Sequence, residues 1–155
     1  MSLESVQQFF AEHAPDIEII ETPESTATVA LAARVHGVSP GQIAKTLSLK
    51  VKEQVVLIVT RGDARLDNRK LKAALGAKAR MLSVDEVVNW TGHPVGGVSP
   101  FGLENPLTVY CDISLRSFDE VLPAAGSVRS ALISRRRASL AAVMARLRSW
   151  MDSTS

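Results

Sequence analysis

The stretch with the best residue types for chemistry is GHPVGGVSPFG, residues 92–102, which holds four glycines, two prolines and no carboxylate, lysine or arginine. Glycine permits positive φ and lets the backbone approach another molecule closely, whereas proline fixes φ. A loop rich in both can hold main-chain N–H groups in fixed directions, and such groups bind a ligand oxygen. A tight connection between two elements explains the same composition, and the loop alone leaves both interpretations open.

Lys45 is the second candidate. The segment KTLSLKVK, residues 45–52, alternates strictly, which predicts a strand with one apolar and one polar face. Lys45 falls on the apolar side, whereas Thr46 and Ser48 fall on the polar side. An inward ammonium is costly unless it is paired, lies at an opening or titrates. If Lys45 lies at the mouth of a pocket, its position on the inward face and its charge both serve to bind a ligand. Alternatively, the strand begins after Lys45 and the side chain extends into water.

Other catalytic arrangements fit the sequence less well. A hydrolase using Ser99, His93 and Asp112 is conceivable, but Ser99 precedes a proline and lacks the G-x-S-x-G turn. His93 also precedes a proline and is better explained as a loop residue that hydrogen-bonds its neighbours. With one cysteine, three scattered histidines and no phosphate-binding glycine motif, the sequence predicts no metal and no cofactor.

The elements that must position these residues follow from apolar spacing and from helix caps. Asp67 caps one predicted helix and Ser83 with Glu86 forms a capping box for another, while Gly37, Gly76 and Gly92 end helices. Helices are predicted over 3–13, 26–36, 40–44, 68–75, 84–90 and 140–151, and strands over 17–20, 45–52, 54–60, 107–115, 119–125 and 130–134. Ser25 or Thr26 is the expected cap of the second helix. Hairpins with helices between them predict one α+β domain over residues 1–155, with a mixed, mostly antiparallel sheet or partly closed barrel.

Bulk composition bounds the function. The 155 residues are 46% hydrophobic and contain no apolar run long enough to span a membrane, and the single cysteine suits a reducing compartment, so the cytoplasm is expected. Six acidic and no basic residues lie in 1–33, whereas 18 basic and 10 acidic residues follow. This asymmetry is compatible with a bound polyanion or with solubility alone. Residues 135–137, three arginines, could contact RNA phosphates or form a solvated face.

Five segments, read in order, resemble the motifs of a known family. They are IAKTLSLK, VTRGDARLDNRKL, GHPVGGVSPFG, VYCDISL and VLPAAGS, and they cover roughly residues 20–135. The chain is similar here to the YbaK/prolyl-tRNA synthetase-associated domain family, whose fold is a mixed-sheet barrel ringed by helices. Many members hydrolyse the ester of mischarged aminoacyl-tRNA, either free-standing or within prolyl-tRNA synthetase.

The resemblance implies roles for particular residues. Lys45 matches the functional lysine of the family. The G-x-x-x-P loop of the family is matched by Gly96, Gly97, Val98, Ser99 and Pro100. Further candidates for substrate contact are Thr22, Arg65, His93, Phe101 and Gly126. Arg65 is equally explained as a turn residue.

The expected activity is therefore that of a trans-acting deacylase, with tRNA-Pro carrying cysteine or alanine as the expected substrate and prolyl-tRNA synthetase as a candidate partner. Backbone N–H groups of the glycine loop would stabilise the oxyanion, and Lys45 would bind the terminal phosphate or help to place the ester. The alternatives are a non-catalytic module that binds tRNA or a synthetase, and a general ester hydrolase. The segment after Gly126 leaves the amino acid open, and the sequence leaves the oligomeric state open.

Overall fold

The protein, as a computed structural model, is described over residues 2–15, 17–118, 120–134 and 149–154. The helices in these residues are α1 (Ser2–His13), α2 (Val29–His36), α3 (Asn68–Leu75) and α4 (Val84–Thr91). The strands are β1 (Ile17–Glu21), β2 (Ile43–Val51), β3 (Gln54–Arg61), β4 (Ala79–Met81), β5 (Thr108–Asp112), β6 (Leu122–Pro123), β7 (Ser130–Ser134) and β8 (Ser149–Met151).

The helices begin and end mostly at the predicted residues. The Asp67 carboxylate accepts from the N–H groups of Arg69 and Lys70, and Ser83 with Glu86 forms the expected capping box. Gly37, Gly76 and Gly92 all adopt the left-handed conformation after a helix. The cap of α2 was predicted wrongly: it is Thr28, because Thr26 is held by Val128 through a backbone hydrogen bond.

The antiparallel hairpin of β2 and β3 forms the centre of the larger sheet and is covered on both faces. Leu57 and Val59 pack on one side, in the main core with α1, while Val56 and Ile58 pack on the other against Leu71 of α3. β3 is therefore the buried central strand that its apolar sequence predicts. β2 differs from its prediction, since Ser48, expected on a polar face, is only 4% exposed. It also begins at Ile43, because the turn before it ends at Gln42.

Both antiparallel and parallel pairings occur, which confirms a mixed sheet. The larger sheet has the order β4-β2-β3-β5-β8, with β6 added beside β2. β2 pairs antiparallel with β3 and β4, whereas β6 joins β2, β5 joins β3 and β8 joins β5 in parallel. β1 and β7 form a separate antiparallel sheet of two strands. Within the described ranges the strands form two open sheets, so the partly closed barrel stays a prediction, as does the single domain.

The C-terminal part of the fold departs from the sequence prediction. The helix predicted over 140–151 lies mainly outside the described residues, but its last part, Ser149–Met151, is a strand. The strand predicted over 107–115 ends at Asp112, whose side chain accepts from the Ser114 N–H and starts a 3₁₀ turn. The strand predicted over 119–125 is reduced to β6. The arginines at 135–137 also lie outside the described residues.

Asp112 fixes the end of the described chain. Its buried carboxylate accepts hydrogen bonds from Ser153 N (2.7 Å), Ser153 Oγ (2.6 Å) and Thr154 Oγ1 (2.9 Å), besides that from Ser114 N. Burial alone would raise the pKa of Asp112, but the hydrogen bonds outweigh it and lower the pKa below its ordinary value. Cys111, the neighbouring residue, is fully buried in the main core, as the sequence predicts.

Candidate functional site

A cavity of about 320 Å³ opens between the two sheets, beside β2. Apolar side chains make most of its wall, among them Val29 and Ala32 of α2 and Val87 of α4. Among the segments that line it are residues 26–29 before and within α2, residues 43–48 of β2, residues 95, 96 and 98 of the glycine loop, and residues 130–131 of β7. No Asp or Glu lies in this lining. A small, largely uncharged group fits such a wall.

The glycine loop reaches the cavity by packing closely against two other backbones. Gly96 has φ +88°, and a Cβ built there would lie 2.9 Å from both the Cβ and the carbonyl oxygen of Ala27. A Cβ on Gly97 would lie 2.5 Å from the carbonyl carbon of Ser127. The two glycines are therefore required by close packing, and this packing fixes the direction of the loop's N–H groups.

The N–H groups of this loop are unequally used. Gly97 N donates to the carbonyl of Pro94 at 2.9 Å. Within the described ranges the N–H groups of Gly96 and Val98 have no acceptor, and both residues line the cavity. Two donors on a rigid loop, with no partner in the part of the chain that the structure describes, can bind an oxygen atom of a ligand that enters the cavity.

Lys45 lies in β2, at the edge of the cavity. Its ammonium donates to the carbonyl of Ala64 at 2.5 Å, in the turn that follows β3. Burial lowers the pKa of Lys45, the negative charge of Asp63 raises it, and the positive charge of Arg65 lowers it. The structure thus brings Lys45 close to Arg65, while the Asp63 carboxylate is itself paired with the Arg61 guanidinium. Lys45 and Arg65 together can bind an anion such as a phosphate.

His93, Ser99 and Phe101 are core residues in this structure and do not line the cavity. All three are at most 1% exposed. His93 Nε2 lies 2.9 Å from the Phe101 carbonyl, and Ser99 Oγ accepts from the Phe101 N–H at 3.3 Å. Phe101 packs edge-on against Phe10 of α1. These residues shape the glycine loop from behind, so their predicted contact with substrate has no support in the geometry.

The remaining predicted residues also lie outside the cavity lining. Gly97 and Pro100 are buried parts of the loop, and Gly126 is buried with φ +93°. The hydroxyl of Thr22 donates to the carbonyl of Glu24 at 2.7 Å, near the end of β1. Of the eleven residues predicted, the structure places Lys45, Gly96 and Val98 at one cavity.

The triad considered from the sequence does not form. Ser99 and His93 both bond to Phe101, whereas the Asp112 carboxylate is occupied by Ser114, Ser153 and Thr154. In the described ranges no three residues of the His, Cys, Asp and Glu types are grouped as metal ligands, and no helix has the length and hydropathy to cross a bilayer.

Sequence reasoning missed two polar residues of the cavity. Thr46 Oγ1 and His36 Nε2 are both buried, and neither has a hydrogen-bond partner in the described structure. Thr46 was assigned to the polar face of a strand and His36 to the end of a helix. Burial lowers the pKa of His36, which favours its neutral form. The only sequence signals that could have indicated these residues are that Thr46 follows Lys45 and that His36 precedes the helix-ending Gly37.

Comparison with known proteins identifies the family of the chain. The family described as the aminoacyl-tRNA editing domain matches residues 23–138. The uncharacterized protein YwhH of Bacillus subtilis is 48% identical over 133 residues, which are 85% of each chain. The proline–tRNA ligase of Kosmotoga olearia is 34% identical over 101 residues, which are 64% of this chain and only 17% of the ligase.

A solved structure supports the same relationship. A crystal structure described provisionally as a trans-editing enzyme for prolyl tRNA synthetase superimposes with a TM-score of 0.87 at 30% identity, covering 99% of this chain and 97% of the other. Its fold and that of this protein are thus the same over nearly the whole length. The resemblance seen in the sequence motifs is confirmed, and the chain belongs to the aminoacyl-tRNA editing domain family.

Proposed function

We propose that this protein is an aminoacyl-tRNA deacylase that acts in trans on mischarged tRNA. The observation that carries the proposal is the cavity lined together by Lys45 and by Gly96 and Val98, whose N–H groups have no acceptor among the described residues. The reaction is hydrolysis: water adds to the ester carbonyl carbon, and the bond to the ribose oxygen breaks. The products are the free amino acid and the tRNA with its 3′-terminal hydroxyl.

The glycine loop supplies the electrostatic part of this reaction. Its N–H groups would hold the carbonyl oxygen and stabilise the negative charge that develops as water attacks. Loss of one such donor costs about 10²–10³-fold in kcat in enzymes that use them. Because the loop is fixed against Ala27 and Ser127, the donors need no rearrangement during the reaction.

Lys45 would act as a positioned charge. Its ammonium, together with Arg65, would attract the terminal phosphate of the tRNA and so bring the ester to the loop. No serine or cysteine lining the cavity has a histidine or carboxylate bonded to it as a base. Water or a group of the substrate itself is therefore the attacking group in this mechanism.

The apolar wall favours a small amino acid. Val29, Ala32 and Val87 offer dispersion contacts without charge. A pocket of this kind discriminates weakly between side chains that differ by one methylene, by a factor of about 10–200. Our proposed substrate is tRNA-Pro mischarged with alanine or cysteine. Prolyl-tRNA synthetase is the proposed partner that would supply it, and the cytoplasm is the proposed location of the reaction.

The test is hydrolysis of tRNA-Pro charged with alanine, cysteine, serine or threonine, measured as loss of labelled amino acid. Lys45→Ala should lower kcat/KM at least about 100-fold on the species that the wild type hydrolyses. Lys50→Ala, which removes a lysine from the same strand, is the matched control and should stay near wild type. If the folded wild type hydrolyses none of them yet binds tRNA, the protein is instead a binding module on the same fold.

A further inference from the structure

The edge of β2 that faces the cavity is unpaired over four residues. β3 covers the other edge from Ala44 to Val51. On the cavity side, β6 pairs at Ile43 and Ala44, and β4 pairs from Leu49 to Val51. Residues 45–48 lie in the gap, and the ladder with β4 ends where Leu82 N donates to the carbonyl of Ser48 at 3.2 Å.

This hydrogen bond shows which main-chain groups face the gap. In an antiparallel pair the N–H and C=O of alternate residues point to opposite edges. The Ser48 carbonyl points away from β3, so the N–H and C=O of Thr46, two residues earlier, point away from β3 as well. Nothing within the described ranges is bonded to either group. Thr46 Oγ1 is likewise buried without a partner.

Of the other hydroxyl groups in the cavity lining, three are already engaged; that of Ser48 is not among them. Thr26 Oγ1 donates to the carbonyl of Val128, Thr28 Oγ1 accepts from Leu31 N, and Ser130 Oγ bonds to Ser127 Oγ. Within the described structure, Thr46 therefore has three polar groups without a partner at this part of a largely apolar wall, and His36 Nε2 is the other buried side-chain atom of the lining without one. A buried polar group without a partner costs roughly 1–3 kcal/mol, so a polar ligand group at this place is favoured.

We infer that Thr46 binds the α-amino group of the aminoacyl ester; this inference rests on the proposed function. In every aminoacyl ester this group is bonded to the Cα atom next to the carbonyl carbon. Burial of the amino group requires hydrogen-bond acceptors. The cavity lining offers no carboxylate, but the carbonyl oxygen and Oγ1 of Thr46 are two free acceptors. Thr46, Gly96 and Val98 line the same cavity, so the amino group and the ester carbonyl would be held within it together.

Binding through Thr46 makes hydrolysis depend on the chemical form of the amino group. When a hydroxyl replaces the amino group, the acyl-tRNA has only one hydrogen-bond donor at this position. One of the two Thr46 acceptors, the carbonyl oxygen or Oγ1, then stays unpaired. Acetylation leaves the nitrogen a single N–H donor and no charge, so it too leaves one of the two acceptors unpaired. The protein should therefore prefer esters with a free amino group over both analogues.

The experiment compares alanyl-tRNA, lactyl-tRNA made from it by nitrous acid, and N-acetylalanyl-tRNA, or the same three forms of the amino acid that the wild type hydrolyses. Wild type should hydrolyse the aminoacyl form at least about tenfold faster, in kcat/KM, than the hydroxyacyl form. Thr46→Val should bring this ratio to within about threefold, mainly by slowing the aminoacyl form. Thr46→Ser, which keeps the hydroxyl, should restore the wild-type ratio.

Thr26→Val is the matched control, since it makes the same change at a cavity hydroxyl that already has a partner. Its ratio should equal that of the wild type. The inference is overturned if a folded Thr46→Val variant keeps the wild-type ratio, or if the wild type does not distinguish the two forms. Hydrolysis of none of the forms by the wild type would overturn the proposed function, and this inference with it.

Discussion

Replacing Gly96 by alanine tests whether the glycine loop must keep its conformation for hydrolysis. The best control is Gly76→Ala, because both glycines have a similar positive φ, +88° and +79°. Each substitution places a Cβ in the left-handed region, at a cost of roughly 1–2 kcal/mol. The two differ in their surroundings: a Cβ at Gly76 has no atom within 4 Å, whereas one at Gly96 lies 2.9 Å from the Ala27 carbonyl oxygen.

The contact with Ala27 is the reason why we expect Gly96→Ala and Gly76→Ala to differ in activity. Since the atoms in contact are the Cβ and backbone of Ala27 and cannot rotate away, the loop must move, and overpacking of this kind adds about 1–3 kcal/mol to the loss of stability. The N–H groups of Gly96 and Val98 move with the loop. A displacement near 1 Å at a reacting group costs about 10²-fold in rate. We therefore expect Gly96→Ala to lower kcat about 100-fold and Gly76→Ala to leave it unchanged.

Two measurements decide the outcome. Urea denaturation gives the free energy of unfolding of both variants, and single-turnover deacylation at 25 °C gives the rate of the chemical step. Both variants should remain folded, because a domain of this size has a stability of about 5–15 kcal/mol. A folded Gly96→Ala variant with a rate within about threefold of wild type would show that the loop does not bind the reacting ester.

Three further predictions concern single side chains. Lys45→Met should abolish deacylation, with at least about 100-fold loss, yet should change the melting temperature little, because removing a partly buried charge offsets the loss of its hydrogen bond to the Ala64 carbonyl. Ser99→Ala should lower kcat less than about tenfold, because the buried Oγ only accepts from Phe101 N; a loss of three orders of magnitude would restore Ser99 as a nucleophile. Asp112→Asn should cost about 2–3 kcal/mol in urea denaturation at pH 7, because its carboxylate accepts four hydrogen bonds. The hydrogen bonds hold the pKa of Asp112 below its unfolded value of about 3.9, so this stabilisation is present above pH 4 and is lost as the pH falls further; a difference between the two proteins that stays constant down to pH 2 would contradict this.

Local signals predicted the helices well, because a cap involves residues three or four positions apart. Asp67 and Ser83 bond to N–H groups of their own first turns, and no distant part of the chain is needed for these contacts. Lys45 and the glycine loop were found for a related reason. An inward charge and a run of glycine and proline are unusual in any fold, so the sequence reveals them without the tertiary structure.

The lining of the cavity could not be predicted in this way. Thr46 faces a gap because β4 and β6 are three and two residues long, and strands so short leave no periodic pattern. The burial of His93, Ser99 and Phe101 likewise depends on α1, whose Phe10 packs on the loop from far away in the sequence. The segment Ser149–Met151 was predicted as helix because Met151 continues the helical spacing of apolar residues before it. In the structure this segment pairs with β5 instead, and the pairing outweighs the local preference.

The two-stranded sheet has a consequence for the order of folding. β1 pairs with β7, so residues over a hundred positions apart must meet before this sheet exists. The cavity depends on that meeting, because one wall follows β1 at residues 26–29 and another belongs to β7 at residues 130–131. Pairing across so long a loop is slow relative to closure of the β2–β3 hairpin. The central hairpin should thus gain amide protection early in refolding, and the substrate cavity should be among the last parts of the molecule to form.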